Sequence, residues 1–111
     1  LSVKRVRTAD GVRIMFEENR FAPTGFEFLE STPLEGGSLY QTIEKHTGRV
    51  PHMVGNCMLT SNRAAGDLVT YLQVPAGEPL FVLEANYCDA DGVPMYMGKQ
   101  VIIGARYSFA L

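Results

Sequence analysis

The chain has 111 residues, of which 46% are hydrophobic and 20% charged, a composition typical of one globular domain. Its 10 Lys and Arg residues are fewer than its 12 Asp and Glu residues, which gives a formal net charge of -2. A domain that binds nucleic acid by itself usually carries a basic stripe, so we do not expect this one alone to hold DNA. No apolar run approaches the ~20 residues of a membrane-spanning helix, so no membrane partner is expected.

The cysteines and histidines argue against a disulfide or metal scaffold. Cys57 and Cys88 are the only cysteines, they are far apart, and no secretory leader precedes them. This usage favours free thiols in a reducing compartment, and we expect a cytoplasmic protein. His46 and His52 lack metal-ligand spacing with the cysteines, so no metal is expected. The chain begins at Leu1 rather than Met, which indicates a fragment or a processed form.

A tight turn at Ala9-Asp10-Gly11 separates two runs of strand-forming residues, 1–8 and 12–20. The pattern predicts a β-hairpin with a three-residue loop, a type I turn closed by Gly11 in the left-handed region. A similar motif, Asp89-Ala90-Asp91-Gly92-Val93, predicts the same loop between two later strands. Loop length fixes the register of each hairpin, and the register decides which side chains share a face.

The first hairpin gathers its charged residues on one face. With a three-residue loop, that face carries Arg5, Arg7 and Glu17, together with Val3, Arg13 and Met15. The opposite face carries the apolar residues Val6, Val12, Ile14 and Phe16. A two-residue loop would place both arginines beside Ile14 and Phe16. The three-residue loop is therefore preferred, because it separates the apolar set from the charged one.

A short helix is predicted after an irregular connection. Residues 21–35 contain two prolines and a glycine and have little regular structure in this reading. Ser38, followed three residues later by Gln41, forms a capping-box pattern that predicts a helix start. Leu39 and Ile43 are predicted to form the buried stripe of this helix, and Tyr40 is an open candidate for a third buried residue. Gly48 is predicted to end the helix.

The second half of the chain continues the alternation of strands and helices. Residues 50–60 form a third extended run, and Ser61 or Asn62 is predicted to cap a second helix that ends near Leu72. Two further strands, residues 80–88 and 93–103, flank the second Asp-Gly turn. The order β-β-α-β-α-β-β predicts an α+β fold, an antiparallel β-sheet with flanking helices. The predicted apolar face of the second helix is Ala64, Ala65, Leu68, Val69 and Leu72.

The motifs of common enzymes are missing from the sequence. There is no Gly-rich phosphate loop and no Gly-x-Ser-x-Gly elbow, so we predict no catalytic residues and no cofactor. One polar set does stand out, because Arg5 and Arg7 project from one face together with Glu17. Two guanidinium groups suit a phosphate or a carboxylate, and the glutamate can accept from hydroxyl or amine groups of the same ligand. The alternative is an exposed, self-compensating charge cluster.

Segments along nearly all 111 residues follow the order and spacing of a known family. They are Arg5-Val6-Arg7 with Ala9-Asp10-Gly11 and Glu17, Ser38-Leu39-Tyr40 with Ile43 and Gly48, Ala64-Ala65 with Leu72 and residues 75–80, and then residues 89–94 and 106–109. Together they resemble the UTRA domain, the effector-sensing domain of GntR-type bacterial transcription regulators of the HutC subfamily.

The resemblance implies a single effector-binding domain over residues 1–111 with a chorismate-lyase-like α+β fold and no lyase activity. It also implies a small-molecule pocket beside the sheet, a homodimer, and contact with DNA only through an N-terminal winged helix that is missing from this chain. We therefore predict a sensor that binds an anionic metabolite and modulates DNA binding of the intact protein. A dimerisation scaffold with a degenerate pocket and a lyase-like enzyme are the alternatives.

The resemblance places the effector at Arg5, Arg7, Glu17 and Ser38. Tyr96 stands where the family usually has Glu, and it is either a pocket wall or a packed strand residue. Ser38 serves as helix cap, as ligand contact, or as both. Departures from the family pattern, among them the one at Tyr96, leave two ligand classes open, a sugar phosphate and a carboxylate or other less polar anion.

Overall fold

The computed structural model describes residues 1–32 and 38–108 of the chain. Five antiparallel strands form one sheet in the order β1-β2-β5-β4-β3. Two helices flank it, which confirms the predicted α+β class. Among the described residues, no helix is long and apolar enough to cross a bilayer. The elements are β1 (Ser2–Ala9), β2 (Val12–Phe21), α1 (Leu39–Thr47), β3 (His52–Arg63), α2 (Asp67–Leu72), β4 (Pro79–Cys88) and β5 (Pro94–Ile103), with 3-10 turns at Glu27–Glu30 and Gly104–Arg106.

The first hairpin is closed by two residues, so the predicted three-residue loop is wrong. Ala9 pairs with Val12, and both Asp10 and Gly11 have positive φ, at 51° and 78°. Positive φ at both central positions is the geometry of a type I′ turn, whose twist matches that of the flanking strands.

A bulge in β2 places Arg5 and Arg7 on the same face as Glu17, as predicted, although the loop is one residue shorter than predicted. The pairing changes from Thr8 with Arg13 to Arg7 with Met15, which leaves Ile14 as an extra residue in β2. Beyond this bulge Arg5 lies directly opposite Glu17, so both arginines share the face of the glutamate, as predicted.

Arg13 lies on the other side of the bulge and leaves the predicted charged face. Its Nη1 donates a 2.6 Å hydrogen bond to the backbone oxygen of Tyr71 in α2. The prediction that Arg13 joins Arg5 and Arg7 is therefore wrong, because the extra residue at Ile14 reverses the alternation between them.

The second hairpin keeps its predicted three-residue loop. The backbone N–H of Gly92 donates to the oxygen of Asp89, Gly92 has φ 79°, and the N–H of Asp89 donates to the oxygen of Val93. A bulge follows here too, since Cys88 pairs with Pro94 whereas Tyr87 pairs with Tyr96. The extra residue is Met95, which is fully buried.

The first helix agrees with its sequence signals. The side chain of Ser38 caps α1 at its N-terminus, and Gly48 ends it with φ 70° in the left-handed region. Leu39 and Ile43 are buried, whereas Tyr40 is 46% exposed. The predicted irregular connection over residues 21–35 contains the 3-10 turn Glu27–Glu30, and its last part falls in residues 33–37, outside the described ranges. Residue 109 of the closing motif also lies outside them.

The second helix starts later than predicted. Ser61 and Asn62 do not cap it, because they pair with Phe81 and Leu80 as part of β3. The helix begins at Asp67, after Gly66, and no side chain caps its N-terminus. Cross-strand pairing has overridden the local capping signal. Of its predicted apolar face, Ala65 is exposed and the others are buried or half-buried.

The two faces of the sheet bury different cores. One core lies between α2 and the strands β2, β4 and β5, and it includes Phe16, Leu80, Val82, Val101 and Ile103. The second joins α1 and the 3-10 turn to the ends of β2 and β5 through Phe21, Phe26, Leu29, Leu39, Ile43, Met95 and Tyr96. Because this second core occupies only one end of its sheet face, the rest of that face stays open beside α1.

Candidate functional site

A cavity of about 1200 Å³ occupies the open part of the sheet face opposite α2. All five strands and the N-terminal end of α1 contribute to its walls. It brings together every residue that the sequence singled out for effector binding, namely Arg5, Arg7, Glu17, Ser38 and Tyr96.

The charged centre of the cavity is Glu17, held between two arginines. Nη2 of Arg5 donates to its Oε2 at 3.0 Å, and Nη1 of Arg7 donates to its Oε1 at 3.3 Å. The Glu17 side chain is 7% exposed, that of Arg5 19%, and that of Arg7 52%. Two cations and one anion leave this trio with a net charge of +1.

This arrangement has features of both interpretations from the sequence, the ligand-binding set and the self-compensating charge cluster. The ion pairs do compensate much of the charge, as the self-compensating alternative requires. Burial of Glu17 makes them stronger than exposed pairs, because a partly dry environment screens charges less. The Arg7 side chain, about half exposed, leaves its guanidinium accessible from the cavity.

Tyrosines form the opposite side of the cavity. Tyr96 is 6% exposed and stacks on Tyr87 with ring centroids 4.6 Å apart and planes 14° apart. Tyr40 meets the Tyr87 ring edge-on at 5.9 Å. Tyr96 is thus both a packed strand residue and a pocket wall. Burial raises the pKa of both Tyr87 and Tyr96 far above the ordinary value, helped by hydrogen bonding with Tyr40, so both phenols stay neutral.

Ser38 lies where α1 meets the cavity. Its Oγ accepts a hydrogen bond from the backbone N–H of Gln41 at 3.5 Å, and the residue lines the cavity wall. A hydroxyl oxygen that accepts from the helix still has its own proton to donate, so capping does not prevent contact with a ligand.

Asn19, Tyr87 and Gly98 are among the cavity residues that were not predicted from the sequence. Asn19 is 8% exposed, and its position two residues after Glu17 on the same strand was a usable signal. A Cβ on Gly98 would lie 3.0 Å from Oδ1 of Asn19 and 3.3 Å from Cε2 of Tyr87. The absent side chain therefore lets both neighbours approach the floor of the cavity. No local sequence signal marks Gly98 or Tyr87, because both depend on the register after the Met95 bulge.

Neither a metal-ligand cluster nor a disulfide is present in the part of the chain that the structure describes. Within these ranges, no group of three or more His, Cys, Asp or Glu residues comes together as a metal site. Cys57 and Cys88 are free thiols, as predicted.

The edge strand β3 is the second notable surface. All twelve of its residues are exposed, including the large apolar residues Met53, Val54, Met58 and Leu59. From residue 53 to residue 62 the strand carries no charge and no proline. The other edge, β1, carries Lys4, Arg5 and Arg7, and charge of this kind protects an edge from unwanted pairing. Residues 53 and 57 also line the cavity, so the edge and the site adjoin.

The antiparallel sheet, the helix at one end of it and the charged hollow between them define a ligand-binding domain of the α+β class. The family model of the UTRA domain matches residues 1–108, and the chain belongs to this family. No curated protein sequence matches the chain.

Solved structures confirm the fold. The C-terminal domain of Yurk from Bacillus subtilis superposes with a TM-score of 0.86 at 20% identity, covering 98% of this chain and 74% of that one. The effector domain of PhnF from Mycobacterium smegmatis gives a TM-score of 0.86 at 24% identity, covering 98% and 66%. A GntR-family transcriptional regulator from Enterococcus faecalis gives 0.78 at 20% identity, covering 99% and 78%.

Proposed function

We propose that this chain is the effector-binding domain of a GntR-type transcription regulator of the HutC subfamily, which senses a small anionic metabolite in the cytoplasm. Membership of the UTRA family supports the class, and the similar fold of a GntR-family regulator agrees with it. The observation that carries the proposal is the convergence of Arg5 and Arg7 on Glu17 inside an open cavity.

In this proposal the arginines bind the anionic group of the effector and the tyrosine side holds its body. Guanidinium groups donate in a fork that fits a carboxylate or phosphate oxygen pair. Glu17 keeps both arginines aimed at the cavity before the ligand arrives, which reduces the ordering cost of binding. Ser38 links the ligand to the first turn of α1, so occupancy can shift the position of that helix.

Control of DNA belongs to the intact protein in this proposal. A winged helix outside this chain would contact the operator, and effector binding would favour one arrangement of the dimer over another. By linkage, the effector shifts the equilibrium only by its difference in affinity for the two arrangements.

The uncharged edge β3 is the proposed dimer surface, with a second copy of this chain as its partner. Antiparallel pairing about a two-fold axis would bring each strand against itself, and the ten uncharged residues avoid like-charge repulsion. The apolar side chains of Met53, Val54, Met58 and Leu59 would be covered. This exposed edge is also the observation that favours the scaffold alternative, in which the dimer forms but the pocket is unused.

We infer no catalytic role. Glu17 is the one carboxylate that lines the cavity among the described residues, and both of its oxygens accept hydrogen bonds from arginine. It is therefore poorly placed to act as a general acid or base. Turnover of chorismate by the purified chain would contradict this inference.

A calorimetric screen of small carboxylates and phosphates against the 111-residue chain tests the proposal. Binding that is lost in Arg5→Ala and Arg7→Ala, and kept in Arg20→Ala on the opposite face of β2, is the expected result. Unchanged affinity in both cavity variants would refute the arginine anchor. A stable dimer that binds no small molecule would favour the scaffold.

A further inference from the structure

The charge of the cavity limits the charge of its ligand. Arg5, Arg7 and Glu17 together carry +1, and all three are partly or fully withdrawn from water. Lys4 is a further cation that lines the cavity, and its Nζ lies 3.8 Å from Oε2 of Glu18, while its side chain is about half exposed. A monoanion would neutralise the trio, whereas a dianion would leave one negative charge without a cationic partner among these three side chains, close to the buried carboxylate of Glu17.

The floor of the cavity limits the body of the ligand. Leu83 and Ala85 of β4 and Gly98 of β5 lie side by side there, because Leu83 pairs with Gln100 and Ala85 pairs with Gly98. These three residues offer no polar side-chain atom, whereas Asn19 and Gln100 beside them on the same face each present an amide to the cavity. Hydroxyl groups of a sugar placed over the three apolar residues would lose their bonds to water, and on this floor they would find new partners only at these two amides.

The wall beyond this floor is aromatic and flat. Tyr87 and Tyr96 stack almost in parallel, and the missing side chain of Gly98 leaves the Tyr87 ring edge next to the floor. A planar ring or conjugated chain packs well against such a surface, and aromatic pairs of this kind add to the effect of burial. The phenol oxygens of this wall can accept a hydrogen bond from a single polar substituent on the ligand.

We propose, resting on the function proposed above, that the cavity selects a monoanionic carboxylic acid with a planar, largely apolar body over a phosphate dianion or a polyol. The carboxylate lies at Arg7 and Arg5, and the body lies over Ala85 and Gly98 against the Tyr87–Tyr96 stack. This assignment decides between the two ligand classes that the sequence leaves open.

Two pairs of probes separate charge from shape. Benzoate and phenyl phosphate share a ring, but at about pH 8 the phosphate carries nearly two charges. Benzoate and cyclohexanecarboxylate share the charge, but only the first is flat. Glucose 6-phosphate combines a dianion with a polyol. Each probe is titrated calorimetrically into the 111-residue chain and into Arg7→Gln, with Arg20→Gln as a control for the loss of one surface arginine.

We expect benzoate to bind about tenfold or more tightly than phenyl phosphate, and more tightly than cyclohexanecarboxylate. Arg7→Gln should lower the benzoate affinity by about tenfold, and Arg20→Gln should leave it unchanged. Tighter binding of phenyl phosphate or glucose 6-phosphate overturns the ligand class and leaves the effector-domain proposal standing. No binding of any probe by the folded chain counts against both proposals. Benzoate binding that persists in Arg7→Gln overturns the assigned position of the carboxylate.

Discussion

Arg49 and Asp89 join the end of α1 to the turn between β4 and β5, through a 2.8 Å hydrogen bond from Nε to Oδ2. The other carboxylate oxygen of Asp89 accepts from the backbone N–H groups of Asp91 and Val93, each at 2.9 Å. The Arg49 guanidinium also lies over the ring of Phe26, 5.6 Å from its centroid. The Asp89 carboxylate thus holds the β4–β5 turn in shape and connects it to the end of α1, the helix that contributes to one wall of the cavity.

This connection predicts a pH-dependent stability. Hydrogen bonds from the turn, chiefly from Val93, and the contact with Arg49 lower the pKa of Asp89 below its ordinary value of 3.8. The group therefore contributes stability that is full above the ordinary pKa and is lost as the pH falls through the lower folded value. The free energy of unfolding in urea should be lower for Asp89→Asn at neutral pH, and the gap should close as the pH falls below 3.8.

The control for this prediction lies in the same turn. Asp91 donates to Asp89 through its backbone, which Asp91→Asn keeps. That variant should show a smaller loss of stability, without the same closing gap in acid. An equal gap between wild type and Asp89→Asn at every pH would contradict the assigned role.

Glu17→Gln should change both stability and ligand preference. The variant keeps the shape of the side chain but removes the charge that both arginines contact, so we expect a loss of about 1–3 kcal/mol in the free energy of unfolding. The charge of the trio rises from +1 to +2, which should improve phenyl phosphate binding relative to benzoate. Glu18→Gln, which removes exposed pairs with Lys4 and Arg20, is the matched control. An unchanged ratio of the two affinities in Glu17→Gln would contradict the charge argument.

Gly98→Ala tests whether the flat floor matters to the ligand. Its Cβ would meet Oδ1 of Asn19 at 3.0 Å, so the amide and the Tyr87 ring would have to move. We expect a cost of about 1–3 kcal/mol in stability, measured by urea unfolding, and at least about tenfold weaker benzoate binding by calorimetry.

The matched variant is Gly104→Ala, whose Cβ would lie 3.2 Å from Cε2 of Phe81, away from the cavity. This variant should also lose stability but should bind benzoate as the wild type does. Equal effects of the two substitutions on binding would mean that Gly98 acts only through overall stability.

Met58→Lys tests the proposed dimer surface. Met58 is 61% exposed in the middle of β3, and pairing about a two-fold axis would bring two such lysines close together. The repulsion should shift the chain to a monomer, as measured by light scattering after size-exclusion chromatography. Val93→Lys, at an exposed apolar residue in the β4–β5 turn, should leave the dimer intact. A dimer that withstands Met58→Lys would place the interface elsewhere.

The face shared by Arg5, Arg7 and Glu17 could be predicted from the sequence, although the loop that was used to predict it was wrong. Segregation of charged from apolar residues is a strong constraint, because a slipped strand would bury arginine. A three-residue loop and a two-residue turn with one bulge satisfy that constraint equally well. The choice between them is visible only in the φ angles of Asp10 and Gly11 and the pairing at Ile14.

Other features depend on contacts that are distant in sequence. The capping signal at Ser61 and Asn62 failed because β4 provides hydrogen-bond partners for these residues, and a local pattern carries no information about β4. The side of the sheet on which Tyr96 lies could not be predicted from the sequence either. In a regular ladder without a bulge, Met95 would pair with Tyr87, and Tyr96 would lie on the opposite face from Tyr87.

The two bulges have a consequence for any redesign of this domain. Deleting Ile14 alone would leave Arg7 opposite Met15 and Arg5 opposite Glu17, whereas keeping Ile14 and pairing it with Arg7 would move both arginines to the other face from Glu17. Met95 has the same role for the aromatic wall, because pairing it with Tyr87 would separate Tyr87 from Tyr96. Redesigned hairpins should therefore keep each bulge or delete it together with its extra residue, since any other odd change in strand length exchanges the two faces of the sheet.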